Sequence, residues 1–270
     1  MPIANINSVK LNYEVSGQGK DIVLLHGYVG DIEDWRNQIA LLSPEYRVSI
    51  LDQRGRGKSE APENEDAYSI DIFVEDVYQW MKLVKIEECC LTGHSLGGMV
   101  SLAFTLAHPE MVRALVLADT SSEKTTVPPE MTRFRETVNK IALTEGMGAA
   151  FDYDLANNPA SKGRYQKHPQ TLARMRAKTQ TTPAYGYVNI WKALRNRESV
   201  TGRLSEISVP TLIIYAEDDL PFAISGAKVM HQEIASSELV MIKNSGHGSM
   251  YEKPEEFNEI LTKFLNRIKW

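Results

Sequence analysis

The stretch that most constrains the fold runs from residue 89 to residue 107. A short apolar run, Cys89-Cys90-Leu91-Thr92, enters Gly93-His94-Ser95-Leu96-Gly97. It continues at once into a segment whose apolar residues recur at helical spacing. A strand that becomes a helix within five residues forces its central residue into a strained backbone conformation. Gly93 and Gly97 remove the side chains that would collide there. Ser95 is thereby lifted clear of the sheet at the N-terminal end of a helix, where free N–H groups and the helix dipole favour developing negative charge.

The flanking sequence supplies more strand–helix units. Apolar runs at 9–15, 21–25, 47–51, 89–92 and 112–117 read as strands, with 9–15 at an edge. Helical spacing fills 32–42, 70–84 and 96–107. The alternation stops near residue 120 and resumes with strands at 211–215 and 239–242 and helices at 222–234 and 254–268. Between them, 133–143, 170–179 and 185–194 are the clearest helical patterns. The expected architecture is α/β: a mostly parallel sheet of about eight strands, with helices on both faces. Residues 1–120 and 207–270 form its core domain. Residues 121–206, inserted after the sixth strand, form a helical cap, since their apolar faces must be buried somewhere.

A serine hydroxyl needs a neighbouring base before it can act as a nucleophile, and histidine titrates nearest neutral pH. Six histidines compete. His26 ends a strand, and His94 adjoins Ser95 at a sharp turn that should point it away. His108 precedes Pro109 at a helix end, His168 lies in the insertion and His231 lies in a surface-like helix. His247, in Asn244-Ser245-Gly246-His247-Gly248, follows the last strand and so shares the carboxyl-end rim with Ser95. A carboxylate should orient its imidazole. Glu217, Asp218 and Asp219 follow one strand and Asp119 follows another, and spacing alone does not choose among them.

Charge and cysteine usage exclude other classes. A net charge of -5 argues against nucleic acid or an anionic membrane as a partner, since both need a basic patch. Cys89 and Cys90 are adjacent in a strand, face opposite ways and cannot easily pair, which fits a reducing compartment. No apolar run approaches the ~18 residues of a membrane helix, and residues 1–13 do not have a leader pattern. The histidines and acids show no metal-ligand spacing, and Gly27-Tyr28-Val29-Gly30 lacks the dinucleotide fingerprint. The expectation is a cytoplasmic protein, monomer or homodimer, with a small-molecule substrate and no cofactor or metal.

Four motifs, in order, resemble the α/β-hydrolase superfamily over nearly the whole chain outside the insertion. These are Leu24-Leu25-His26-Gly27, Asp52-Gln53-Arg54-Gly55-Arg56-Gly57-Lys58-Ser59, the elbow Gly93 to Gly98, and Ser245-Gly246-His247 followed by Pro254-Glu255-Glu256-Phe257. The resemblance implies an acid at the end of a G-x-x-D motif. Counting through Ala216, where the family has glycine, gives Asp219. It implies oxyanion donors at the Tyr28 and Leu96 backbone N–H groups, and a structural role for His26 and for residues 52–59. Serine at the elbow, rather than aspartate, argues against dehalogenase and epoxide-hydrolase chemistry.

The stretch from Thr182-Pro183-Ala184-Tyr185-Gly186-Tyr187 to Arg195 is similar to the cap of enol-lactonase and cofactor-free haloperoxidase relatives. Most cap aromatics and methionines are expected in the cap's own core. Tyr185 and Trp191 should reach an apolar pocket, with Trp35, Met99 and Met250 completing its lining. The implied activity is carboxylesterase or lactonase. The alternatives are a carbon–carbon hydrolase of a β-diketone-like substrate, weakened by His94 and Gly248 where such enzymes carry Asn and Trp, and a hydrolase-fold ligand receptor with little turnover.

Overall fold

A computed structural model describes residues 2–124 and 126–268. The chain opens on β1 (Ile3–Ile6) and β2 (Val9–Ser16), an antiparallel hairpin whose two turn residues, Asn7 and Ser8, both have positive φ. β3 (Asp21–Leu25) follows. A 3₁₀ turn at Ile32–Trp35, capped reciprocally by Asp31 and Asp34, leads into α1 (Arg36–Leu42). Next come β4 (Arg47–Leu51), α2 (Ile70–Leu83), β5 (Cys89–His94), α3 (Leu96–Ala107) and β6 (Val112–Ala118).

Five helices then run without a strand: α4 (Pro129–Thr144), α5 (Met147–Asn157), α6 (Pro159–Lys167), α7 (Pro169–Lys178) and α8 (Ala184–Asn196). The chain returns to the sheet through β7 (Thr211–Ala216), α9 (Pro221–Glu233), β8 (Ser237–Ile242), the short α10 (Ser249–Glu252) and α11 (Pro254–Arg267).

The eight strands form one sheet in the order β1-β2-β4-β3-β5-β6-β7-β8. β1, β2 and β4 pair antiparallel, and all later pairings are parallel. Alternate strand residues feed two cores. Leu91 joins Phe73, Trp80 and Phe104 of α2 and α3 on one face, and Cys90 joins Ile39, Phe257 and Phe264 of α1 and α11 on the other. Cys89 and Cys90 thus serve opposite faces as free thiols. The expected parallel sheet with helices on both faces is what forms.

Three differences from expectation have local causes. Residues 9–15 are not an edge strand, because β1 lies outside them. β1 has four residues, and its outward Ile3 is exposed, so it carries no apolar run. α5 and α6 have weak helical signals because α5 buries only Met147 and Ala150 and α6 only Tyr165, so neither carries a continuous apolar stripe. The proline opening α6, like those opening α4, α7, α9 and α11, was a start signal the periodicity could not supply.

The inserted helices are tied to the loops at the carboxyl ends of the strands. Arg174 and Lys178 of α7 pair with Asp34 at 2.6 and 2.9 Å, and Lys167 of α6 pairs with Asp218 at 2.8 Å. α4, α5 and α8 share a small core of their own around Val138, Ala142 and Val188, against which Tyr28 and Val29 pack.

Candidate active site

Ser95 joins β5 to α3 with φ +51° and ψ -113°, a conformation an L side chain rarely adopts. Its N–H donates to Ala118 O at 2.9 Å, and Thr120 Oγ1 donates to Ser95 O at 2.7 Å. One bond comes from the end of the neighbouring strand β6 and the other from the loop just after it, and together they hold the turn. A Cβ on Gly97 would lie 2.2 Å from Leu25 O, and one on Gly93 would lie 2.3 Å from Gly97 O. Gly97→Ala must therefore push α3 away from β3. The expected cost is about 3 kcal/mol of unfolding free energy, measured by urea titration.

His247, in the loop after β8, hydrogen-bonds on both sides. Nε2 lies 2.8 Å from Ser95 Oγ, and Nδ1 lies 2.6 Å from Asp219 Oδ1. With a proton on Nδ1 donated to Asp219, Nε2 is free to accept the Ser95 hydroxyl proton. The Asp219 side chain is wholly buried after β7. Burial pushes its carboxyl up, but the charge and hydrogen bond of His247 and the Leu220 N–H outweigh this and hold it below the usual carboxylate range. The Leu220 N–H donates at 2.6 Å. Ala216 fits the turn because its φ is not positive.

The rival acids are occupied elsewhere. Glu217 accepts the Asn244 N–H at 3.0 Å, and Asp218 pairs with Lys167. Asp119, at φ +50°, is fully buried behind the site. Its Oδ2 accepts the Ser249 N–H at 2.9 Å and the Ser249 hydroxyl at 2.8 Å. Burial, and then the charge of Asp219, push its carboxyl well above the ordinary range. Asp119 is thus the carboxyl that holds a proton more readily, and Asp219, held low by His247, is the anion facing the imidazole.

His94 corrects an expectation. It does not point away. Its ring lies 5.1 Å from that of His247, and it lines the cavity beside Ser95. Neither of its nitrogens has a hydrogen-bond partner among the described residues, and it is His247, not His94, that bonds Ser95 Oγ. Burial, and then the charge of His247, lower its pKa to about 3. An unfolded histidine titrates near 6.5, so below that pH the unfolded chain binds a proton that folded His94 refuses. The stability at stake is whole above pH ~6.5. It is lost at up to ~1.4 kcal/mol per pH unit as pH falls through the acid range. His94→Gln is expected to flatten that acid loss, read from urea unfolding at about pH 7 and about pH 4.5.

The loop after β3 is braced from below. His26 Nε2 accepts the Gln53 N–H at 2.9 Å, and its Nδ1 donates to Gly27 O at 2.9 Å. Asp52 accepts from Ile32 N, Lys58 N and Asn12 Nδ2 at 2.8, 2.9 and 2.7 Å. These are scaffold bonds, and they fix where Tyr28 lies. The Tyr28 ring stacks on Tyr187 of α8 at 5.2 Å, its hydroxyl donates to Tyr187 O at 2.6 Å, and the buried Arg56 guanidinium lies 4.7 Å from it. Tyr28 and Leu96 line one cavity with Ser95 and His247. Leu96 is the first residue of α3, where a helix leaves its amides without intrahelical partners.

That cavity has a volume of about 390 Å³. Met99 and Trp191 line it. Trp35 and Met250 do not: both are fully buried in the α1/α11 core, Trp35 edge-on to Phe257. Tyr185 does not either. It is exposed, while Tyr187 faces the cavity, because residues two apart on a helix point to opposite sides. Met147, Phe151, Tyr165 and Met175 of the insertion also line the cavity, which runs between the cap helices rather than beneath a closed cap core. Leu220 and Phe222, at the start of α9, were not anticipated; the Phe222 ring lies 5.9 Å from that of His247. Among the described residues no cluster of His, Cys, Asp and Glu could hold a metal, and no helix is long and apolar enough to cross a membrane.

The family described as the alpha/beta hydrolase fold matches residues 21–254. Proline iminopeptidase of Saccharolobus solfataricus is 27% identical over 286 residues, covering 98% of this chain and 91% of that protein. The enol-lactonase from Burkholderia xenovorans LB400 superposes with a TM-score of 0.85 at 28% identity, covering 98% of this chain and 100% of that one. The esterase from Exiguobacterium antarcticum superposes with a TM-score of 0.82 at 26% identity, covering 98% of each chain.

Proposed function

The chain belongs to the alpha/beta hydrolase family, and from that premise we propose that it cleaves a carboxylic ester or lactone of small to medium size through an acyl–Ser95 intermediate. The observation that carries this reading is the continuous relay from Ser95 Oγ through His247 to Asp219, opening on a cavity of about 390 Å³. That volume is within the range of small-molecule sites, and most of its lining is apolar.

In the proposed mechanism His247 Nε2 takes the Ser95 proton as Oγ attacks the carbonyl carbon. Asp219 stabilises the imidazolium that results. The Tyr28 and Leu96 N–H groups receive the oxyanion, and each such donor is worth about 3 kcal/mol in the transition state. His247 then protonates the leaving oxygen. A water, deprotonated by His247, attacks the acyl carbon and frees Ser95.

The enol-lactonase and esterase neighbours support oxygen esters over other acyl bonds. The proposed setting is the cytoplasm, with a small molecule as the only partner the chemistry needs. A panel of p-nitrophenyl esters and simple lactones tests the reading. Turnover of short or medium acyl chains is expected. No turnover of any member, together with no labelling by a fluorophosphonate, would overturn it.

A further inference from the structure

The cavity is unequally charged. Its charged lining is Asp34, Arg135, Asp154, Arg164 and Lys178. Asp34 and Lys178 neutralise each other at 2.9 Å, with Arg174 and Asp31 completing that cluster. Arg135 of α4 and Arg164 of α6 have no carboxylate at ion-pair distance among the described residues. Asp154 is the one remaining anion, and it accepts a bond from Asn158 Nδ2 at 3.2 Å. Two cations therefore face one anion.

Both arginines are held by tyrosine hydroxyls instead. Arg135 donates to Tyr187 Oη, and Arg164 donates to Tyr165 Oη at 2.7 Å with its guanidinium 4.6 Å from that ring. These contacts fix the arginines without neutralising them. Arg164 Nε is also buried and has no hydrogen-bond partner among the described residues, a state that favours a ligand able to accept from it. Arg135 is linked to the loop after β3 at a remove, since the Tyr187 whose hydroxyl it bonds stacks its ring on Tyr28. A guanidinium offers a planar fork of donors that matches a carboxylate.

We propose that the substrate carries a carboxylate remote from the scissile bond, and that Arg135 and Arg164 grip it. The proposal rests on the acyl–Ser95 reading and narrows it to anionic esters or lactones with an apolar middle. A substrate presenting a free ammonium group in the same place is disfavoured by the same charges.

The test compares p-nitrophenyl hexanoate and octanoate with the half-esters mono-p-nitrophenyl adipate and suberate. At one of the two lengths the half-ester should have a kcat/KM at least tenfold above its neutral counterpart. Arg135→Met and Arg164→Met should each cut that ratio about tenfold, and Arg164→Lys should restore part of it. Arg203→Met, at an exposed pair with Glu206, should leave it unchanged. Without any substitution, adipate or suberate should inhibit ester cleavage about tenfold more strongly than hexanoate or octanoate. Neutral esters cleaved as fast as the half-esters, with dicarboxylates no better as inhibitors, would overturn the carboxylate grip and leave the Ser95 reading standing. No cleavage of either series and no fluorophosphonate labelling would remove both.

Discussion

Ser95→Ala is expected to lower kcat for a cleavable ester by on the order of 10⁵-fold, while the melting temperature stays within a few degrees. The size of the loss follows from the relay. Without Oγ, His247 has no nucleophile to activate, and only binding and the oxyanion donors remain. The small change in stability also follows from the structure. Alanine keeps the Cβ, so the strain at φ +51° is the same in both proteins. The bonds that hold the turn use the Ser95 backbone rather than its hydroxyl. Steady-state kinetics on a p-nitrophenyl ester and a thermal melt read both quantities.

Asp219→Asn is the second large effect, with an expected loss of about 10⁴ in kcat. An asparagine amide facing His247 Nδ1 would donate where a carboxylate accepts. The imidazole would then carry its proton on the wrong nitrogen, and the imidazolium would lose its counter-charge. Asp119→Asn should behave quite differently, staying within about tenfold of the parent. Burial and the charge of Asp219 push the Asp119 carboxyl up towards its neutral form. A neutral asparagine in its place can still accept from Ser249. If Asp119→Asn abolishes turnover and Asp219→Asn does not, the two carboxylates have exchanged roles.

The centre of the site was legible in the sequence because local rules place it. A serine between a strand and a helix, flanked by Gly93 and Gly97, admits few backbone paths. A histidine after the last strand must share the rim on which a parallel sheet presents its loops. The acid was less legible. Asp119, Glu217, Asp218 and Asp219 all follow late strands on that rim, and it took the family's spacing to favour Asp219. The bonds that occupy Glu217, Asp218 and Asp119 are visible only in three dimensions.

The pocket was the least legible part. Trp35 and Met250 are near the right loops in sequence but turn into the α1/α11 core, and sequence proximity carries no direction. Tyr185 and Tyr187 differ by two positions and so by opposite helix faces, and the sequence alone left which face was inward unsettled. His94 was expected to face away, yet it is beside His247 because Gly27 leaves room for its ring: a Cβ there would lie 2.7 Å from His94 Nδ1. The charges of Arg135 and Arg164 could be counted in the sequence, but their lack of carboxylate partners could not.

The central claim is that Ser95 becomes covalently acylated during turnover. Intact-mass spectrometry with peptide mapping, after incubation with a fluorophosphonate and separately with a slowly released p-nitrophenyl ester, tests it most directly. One adduct per chain is expected on the peptide containing Ser95, absent from Ser95→Ala and formed far more slowly in His247→Ala. An adduct on another residue, or labelling that persists in Ser95→Ala, would contradict it.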